Sequence, residues 1–230
     1  MTTALTLVAT LVILLAVGLA VVTGLKRVEA RRREDFEEMA ARRSWQLNIT
    51  GEVLGRPAIT RLQPRGGTKW VVESRRRSGD DSVRDLQSTE FSARDPHWSE
   101  GTMVMAGPLS PDVAALTGLM QGQMDGEMGE KLLTRLIGPG AAGDAGALRL
   151  QDGPDGVTIL ASCALGHRFE TQALARTLMS WEPLIRGERG HPVLIISRDG
   201  VRVRLRHAIA RAPDMERFID LSTELARLGG

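Results

Sequence analysis

The chain holds one cysteine, no tyrosine and only four Trp and four Phe among its 230 residues. The lone thiol, Cys163, excludes an intramolecular disulfide and with it any disulfide-stapled scaffold. So few rings argue against single-stranded nucleic-acid binding, which needs stacking platforms. The signatures of common chemistry are also missing: there is no G-x-x-x-x-G-K-[ST], no G-x-S-x-G and no H-E-x-x-H. The four histidines, His97, His167, His191 and His207, are dispersed. His167 and Glu170 share a helix-start spacing but lack a third ligand, and His167 is the only local base for Cys163. Gly138 to Gly143 matches G-x-G-x-x-G by letter, yet a helical pattern precedes it where a strand is required. The sequence therefore assigns no catalytic residue, no metal ligand and no cofactor.

What the sequence does contain is an uncharged apolar run, ALTLVATLVILLAVGLAVVTGL, over residues 4–25. As a helix these residues span ~33 Å, against ~30 Å of hydrocarbon. A cleaved secretory signal carries basic residues before a shorter apolar core, and Met1-Thr2-Thr3 offers none. The run is read as a transmembrane anchor. Lys26, Arg27, Arg31, Arg32 and Arg33 follow it directly, so the positive-inside rule puts the C-terminal side in the cytoplasm and the N-terminus outside. A heavy preference for arginine over lysine fits a GC-rich bacterial genome, hence an inner membrane. A reducing compartment also suits a single cysteine.

Those five basic residues and Glu29 give residues 26–33 a net charge of +4. The chain is +2 overall with every charge after residue 25, so residues 34–230 carry −2. The basic character belongs to the membrane surface and not to the body, which removes the support a high pI would lend to nucleic-acid binding. The cluster is read as a membrane-surface site for anionic headgroups, beside its plain use as a topology signal. Within the anchor, Ala16, Ala20 and Gly24 recur every four residues and form a small-residue face suited to helix packing.

The fold class expected is α+β: an N-terminal transmembrane helix followed by a cytoplasmic domain of antiparallel strands and helices. Residues 26–44 continue as a charged juxtamembrane helix, read mainly as a stalk, with pairs such as Arg31–Asp35 and Arg33–Glu37. Phe36, Met39 and Ala40 give it a thin apolar stripe. From Trp45 the period changes to two, as in a half-buried strand, and further strands are predicted near 57–62, 68–75, 87–93 and 102–106. Arg75-Arg76-Arg77 with Ser78 to Asp81 reads as a solvated loop. A helix from about residue 112, in the Met/Gly-rich segment that ends at 137, places Met120, Met124 and Met128 on one stripe and Gly118, Gly122 and Gly126 on another. Methionine adapts to irregular surfaces, so that stripe is the expected partner contact, with core filling as the plainer account.

A Gly/Ala linker at 138–146 separates a β-rich half, 45–137, from a second half, 147–230. The second half reads hairpin–helix–hairpin–helix: strands around the Asp-Gly turns of 148–162, a helix over 168–182, a hairpin over 193–205 and a helix over 213–228. Arg202, Arg204 and Arg206 alternate with Val201, Val203 and Leu205, which predicts one buried and one solvated basic face.

The function expected is that of a non-catalytic accessory or scaffold protein of a membrane complex. Its partners are the lipid bilayer and a membrane protein or a second copy of itself, with no nucleic acid. A ligand- or anionic-lipid-sensing domain at the membrane surface is the alternative, and an unrecognised membrane-tethered enzyme stands third.

Overall fold

Strict alternation after Trp45 does produce strands, and all of them join one sheet. The computed structural model describes residues 2–53, 56–67, 69–77, 87–94, 101–107, 147–165, 170–186 and 188–229, with side chains from Val17 onward except Leu25 and Glu188. In chain order the elements are α1 (Thr2–Arg42), β1 (Trp45–Thr50), β2 (Ala58–Pro64), β3 (Trp70–Arg76), β4 (Ser88–Ala93) and β5 (Met103–Ala106). There follow β6 (Arg149–Gln151), β7 (Thr158–Ala161), α2 (Thr171–Met179), β8 (Pro192–Ser197), β9 (Gly200–Leu205) and α3 (Ala212–Gly229). The predicted segment carrying Met120, Met124 and Met128 lies outside the described residues. So do the linker at 138–146, the loop at 78–81, and His97, His167 and Phe169.

Among the described residues the sheet has nine strands in the order β1-β2-β3-β4-β9-β8-β5-β7-β6, every pair antiparallel. The late hairpin β8–β9 is inserted between β4 and β5, so strands from before and after 138–146 share one sheet and one core. The hairpin–helix–hairpin–helix order of the C-terminal part is present, as β6–β7, α2, β8–β9 and α3.

One row of side chains crosses nearly the whole sheet. Leu47, Leu62, Val72, Phe91, Val203, Leu194, Met105 and Ile159 stand opposite one another in register. All but Leu47 are at most 1% exposed. Burying each such side chain is worth roughly 1.5–3 kcal/mol relative to leaving it in water. The scarce rings are concentrated beside this row: Trp45 meets Trp70 edge-on at 5.3 Å, and Trp70 stacks on Phe91 at 5.8 Å. From α3, Met215, Phe218, Ile219, Ser222 and Leu225 are buried, the 3–4 spacing of an amphipathic helix. Trp181, just past α2, packs edge-on against Phe218 at 6.0 Å and donates its indole N–H to Gly190 O at 2.9 Å.

Three expectations change. First, residues 26–44 are not a free stalk. Phe36, Met39 and Ala40 are buried in the same core as Val72, Phe91 and Phe218. The stripe looks thin in sequence because three residues suffice to seat a helix whose other faces stay in water. Ser44 turns the chain back at φ 56°, a left-handed conformation uncommon outside glycine, and its carbonyl accepts from Arg65 N–H at 3.1 Å. Second, Arg75 and Arg76 are not loop residues but the last two of β3. Third, the arginine face of β9 is not openly solvated: the side chains of Arg202 and Arg204 are 13% and 14% exposed and both approach Glu90.

Among the described residues no helix is long and apolar enough to cross a membrane. The transmembrane expectation for residues 4–25 is therefore not shown by the structure.

Removing the ring that seats α1 tests the docking. Phe36→Ala in the full chain is expected to cost ~3–5 kcal/mol, measured by denaturant unfolding. A stalk detached from the core would change stability by less than ~0.5 kcal/mol.

Candidate functional site

The segment between β9 and α3, residues 206–211, would be a loose connection if nothing held it. Two small polar residues do. Thr89 is fully buried and Ser74 nearly so, facing each other across β3 and β4. Thr89 Oγ1 donates to His207 O at 2.9 Å, accepts from Ile209 N–H at 3.0 Å and lies 3.0 Å from Ser74 Oγ. Ser74 Oγ lies 3.4 Å from Ile209 O. Buried hydroxyls satisfied in this way offset their desolvation and fix the connecting backbone against the sheet.

That backbone forms one lip of a groove of about 640 Å³ whose other wall is the docked half of α1. Arg32 Nε spans the two and donates to Ala210 O at 2.9 Å, with its guanidinium over the Phe36 ring at 5.5 Å. Glu29 sits between two cations, 3.4 Å from Arg32 and 3.0 Å from Arg76 of β3. Farther along α1, Arg42 and Arg43 both reach Glu216 of α3 at 2.6 Å, and Arg43 also bridges to Asp220. Five arginines line the groove, Arg31, Arg32, Arg42, Arg76 and Arg211, against the carboxylates of Glu29, Asp35 and Glu38.

Charge and burial act together here. Burial alone would raise the Glu29 carboxyl, but the hydrogen bond and charge of Arg76, with Arg32 behind it, outweigh this and hold it below its ordinary value. Arg32 is lowered by burial and by the nearby Arg76, against the pull of Glu29. Arg43 is raised, chiefly by its hydrogen bond to Glu216. With five arginines against three carboxylates, the lining of the groove carries a net positive charge.

The sequence-predicted cluster is thus divided. Lys26, Arg27, Arg31 and Arg33 are exposed on α1, whereas Arg32 turns into the domain with only 16% of its side chain exposed. Arg33 pairs with Glu37 at 2.8 Å, while Arg31 has no ion-pair partner within 4 Å among the described residues. Ala20 and Gly24 are exposed on the helix, and a side chain at Gly24 would meet nothing within 4 Å. Ala16 lies on the same helix, with its side chain outside the description. The fold brings to the arginines of α1 both Arg76, which the sequence reading placed in a solvated charge run, and Arg211, which it did not single out. No local pattern marks Arg211, which stands alone just ahead of α3.

A second cavity of about 360 Å³ adjoins the same segment, lined by His207, Glu182, Asp214 and Arg217 among others. Among the described residues no group of three His, Cys, Asp or Glu side chains is placed to hold a metal ion. Met103 and Met105 are buried core residues of β5, and Cys163 is half-buried. Comparison with protein-family models, with curated proteins and with solved structures finds no match to this chain.

Thr89→Val is expected to strand the His207 carbonyl and the Ile209 N–H, costing ~1–3 kcal/mol in an unfolding experiment while keeping the side-chain volume. A pH effect follows from His207. Burial, then the charge of Arg189, holds its imidazole below the ordinary value. The unfolded chain then takes up that proton first, so this contribution is present above about pH 6.5 and is lost as pH falls through the folded value. Denaturation midpoints measured downward from pH 7.5 should fall in the parent, and less steeply in His207→Gln.

Proposed function

We propose that the chain is a single-pass bacterial inner-membrane protein, with its N-terminus outside and residues 26–230 in the cytoplasm, acting as a non-catalytic accessory or scaffold protein of a membrane complex. The observation that supports this best is the continuity of α1. One unbroken helix runs from the uncharged residues 4–25 into the core of the domain. Along it Val17, Leu19, Val21 and Val22 are 49–67% exposed, a row of apolar side chains that is costly in water and neutral in lipid.

The same continuity specifies how such a tether works. Phe36 lies ~17 Å of helix beyond Leu25, so the domain is held against the membrane surface without slack. A flexible linker would let it sample a large volume. A rigid helix fixes its height and limits its rotation, which raises the effective concentration of a weak contact with any neighbour in the same membrane. The face of Ala16, Ala20 and Gly24 is the proposed packing surface for that neighbour or for a second copy, because small residues let helix backbones approach closely. Met120, Met124 and Met128 remain a proposed cytoplasmic contact on the sequence argument alone.

Two measurements test the reading. Alkaline carbonate should leave the full chain in the membrane fraction and release a chain lacking residues 2–25. Purification through a C-terminal tag in mild detergent should bring down a membrane protein in stoichiometric amount, and Ala20→Leu with Gly24→Leu should reduce it. A chain that purifies alone and monomeric would remove the accessory role.

A further inference from the structure

We propose that the groove between α1 and residues 210–213 binds the phosphate of an anionic phospholipid headgroup through Arg31, Arg76 and Arg211, an inference that rests on the membrane-anchored reading above. The three arginines are far apart in sequence and come from three elements: α1, the end of β3 and the connection into α3. Arg32 does not compete for the ligand, because its Nε is committed to Ala210 O and its side chain is largely covered. It acts as the spacer that keeps the two walls apart. Glu29 offsets part of the charge of Arg32 and Arg76, which lets these cations stand close together before any ligand arrives. Arg211 is 76% exposed, with only a 3.7 Å approach to Asp214. Arg31 is exposed and unpaired among the described residues. Arg31 and Arg211 are therefore able to turn toward an anion, while Arg76 keeps one nitrogen on Glu29 and leaves the rest of its guanidinium at the groove.

Height argues for a lipid over a soluble phosphate. Val28, at the near end of the groove, is 66% exposed and lies ~4.5 Å of helix past Leu25. The backbones of Arg31 and Arg32 lie ~9–10.5 Å past it, just beyond a polar layer ~5–8 Å deep, and helical side chains tilt toward the N-terminus, so the long guanidinium arm of Arg31 reaches back into that layer. The groove thus opens at headgroup level, with Val28, Ala212 and Pro213 offering apolar surface for the glycerol end and arginines for the phosphate. Planar guanidinium groups match phosphate oxygens in pairs, a geometry lysine does not supply.

The test uses the full chain in a neutral detergent, titrated with phosphatidylglycerol, with phosphatidylcholine and with inorganic phosphate, and read by native mass spectrometry. Phosphatidylglycerol is expected to bind at least ~10-fold more tightly than phosphatidylcholine, with a loss of roughly fivefold for each of R31Q, R76Q and R211Q. K26Q with R27Q, on α1 but outside the groove, should change binding less than twofold. Equal loss in that variant would mean diffuse helix charge and would overturn the groove. Inorganic phosphate that displaces the lipid at equal concentration would overturn the assignment to a headgroup. R211Q alters an exposed side chain, so its loss of binding with an unchanged melting temperature keeps the result interpretable if R76Q unfolds. Carbonate extraction of the same variants separates the two proposals. A chain that leaves the membrane in carbonate refutes the anchor, whereas a retained chain that does not prefer phosphatidylglycerol refutes the groove.

Discussion

The seating of Phe36, Met39 and Ala40 in the core is the contact on which the rest of this architecture depends. It converts a long charged helix into a wall of the domain. Once α1 is seated, Arg32 can reach Ala210, Glu29 can reach Arg76, and Arg42 and Arg43 can reach Glu216. None of those polar contacts would hold α1 unaided, because exposed ion pairs are worth ~0–1 kcal/mol each. Their role is orientation: apolar burial supplies the adhesion, and the arginines decide the angle and the height at which the helix lies.

The same division of labour recurs inside the sheet. The transverse row from Leu47 to Ile159 is non-directional and would tolerate sliding, whereas Thr89 and Ser74 accept only one placement of residues 207–209. Leaving those groups unpaired in the interior costs more than making the bonds gains, so the polar pair specifies while the apolar row stabilises. The proposed lipid groove inherits its shape from this pair on one lip and from α1 on the other. A cationic recess between α1 and residues 210–213 thus follows from two features of the core, with no further device.

Much of the local structure was legible. Strands near 57–62, 68–75, 87–93 and 102–106 appear within two residues of those positions, because alternation, Gly66-Gly67 and the Asp199-Gly200 turn are local signals. The stripe of α3 was also legible, Phe218 and Leu225 being core residues, since a 3.6 period needs only the helix itself to be recognised. Legibility failed where one residue type serves two surroundings. Arg75-Arg76 resembles a solvated turn until Glu29 of a helix 47 positions earlier pairs with Arg76. Arg32 resembles its neighbours Arg31 and Arg33 until the domain covers it. The alternation of Arg202 and Arg204 correctly gave them a face of their own, but could not say how far that face would be covered.

From the sequence by itself come the uncharged run at 4–25, the basic residues that follow it, the strand and helix periods, and the lack of common catalytic signatures, since each is a property of neighbouring residues or of composition. The tertiary structure alone decided that β8–β9 lies between β4 and β5, that α1 belongs to the core, and that Arg76 and Arg211 join the arginines of α1. The physical reason is the reach of the forces involved. Periodicity is written in residues a few positions apart, whereas strand order and charge convergence are chosen by apolar burial acting between segments that chain sequence leaves more than 100 residues apart.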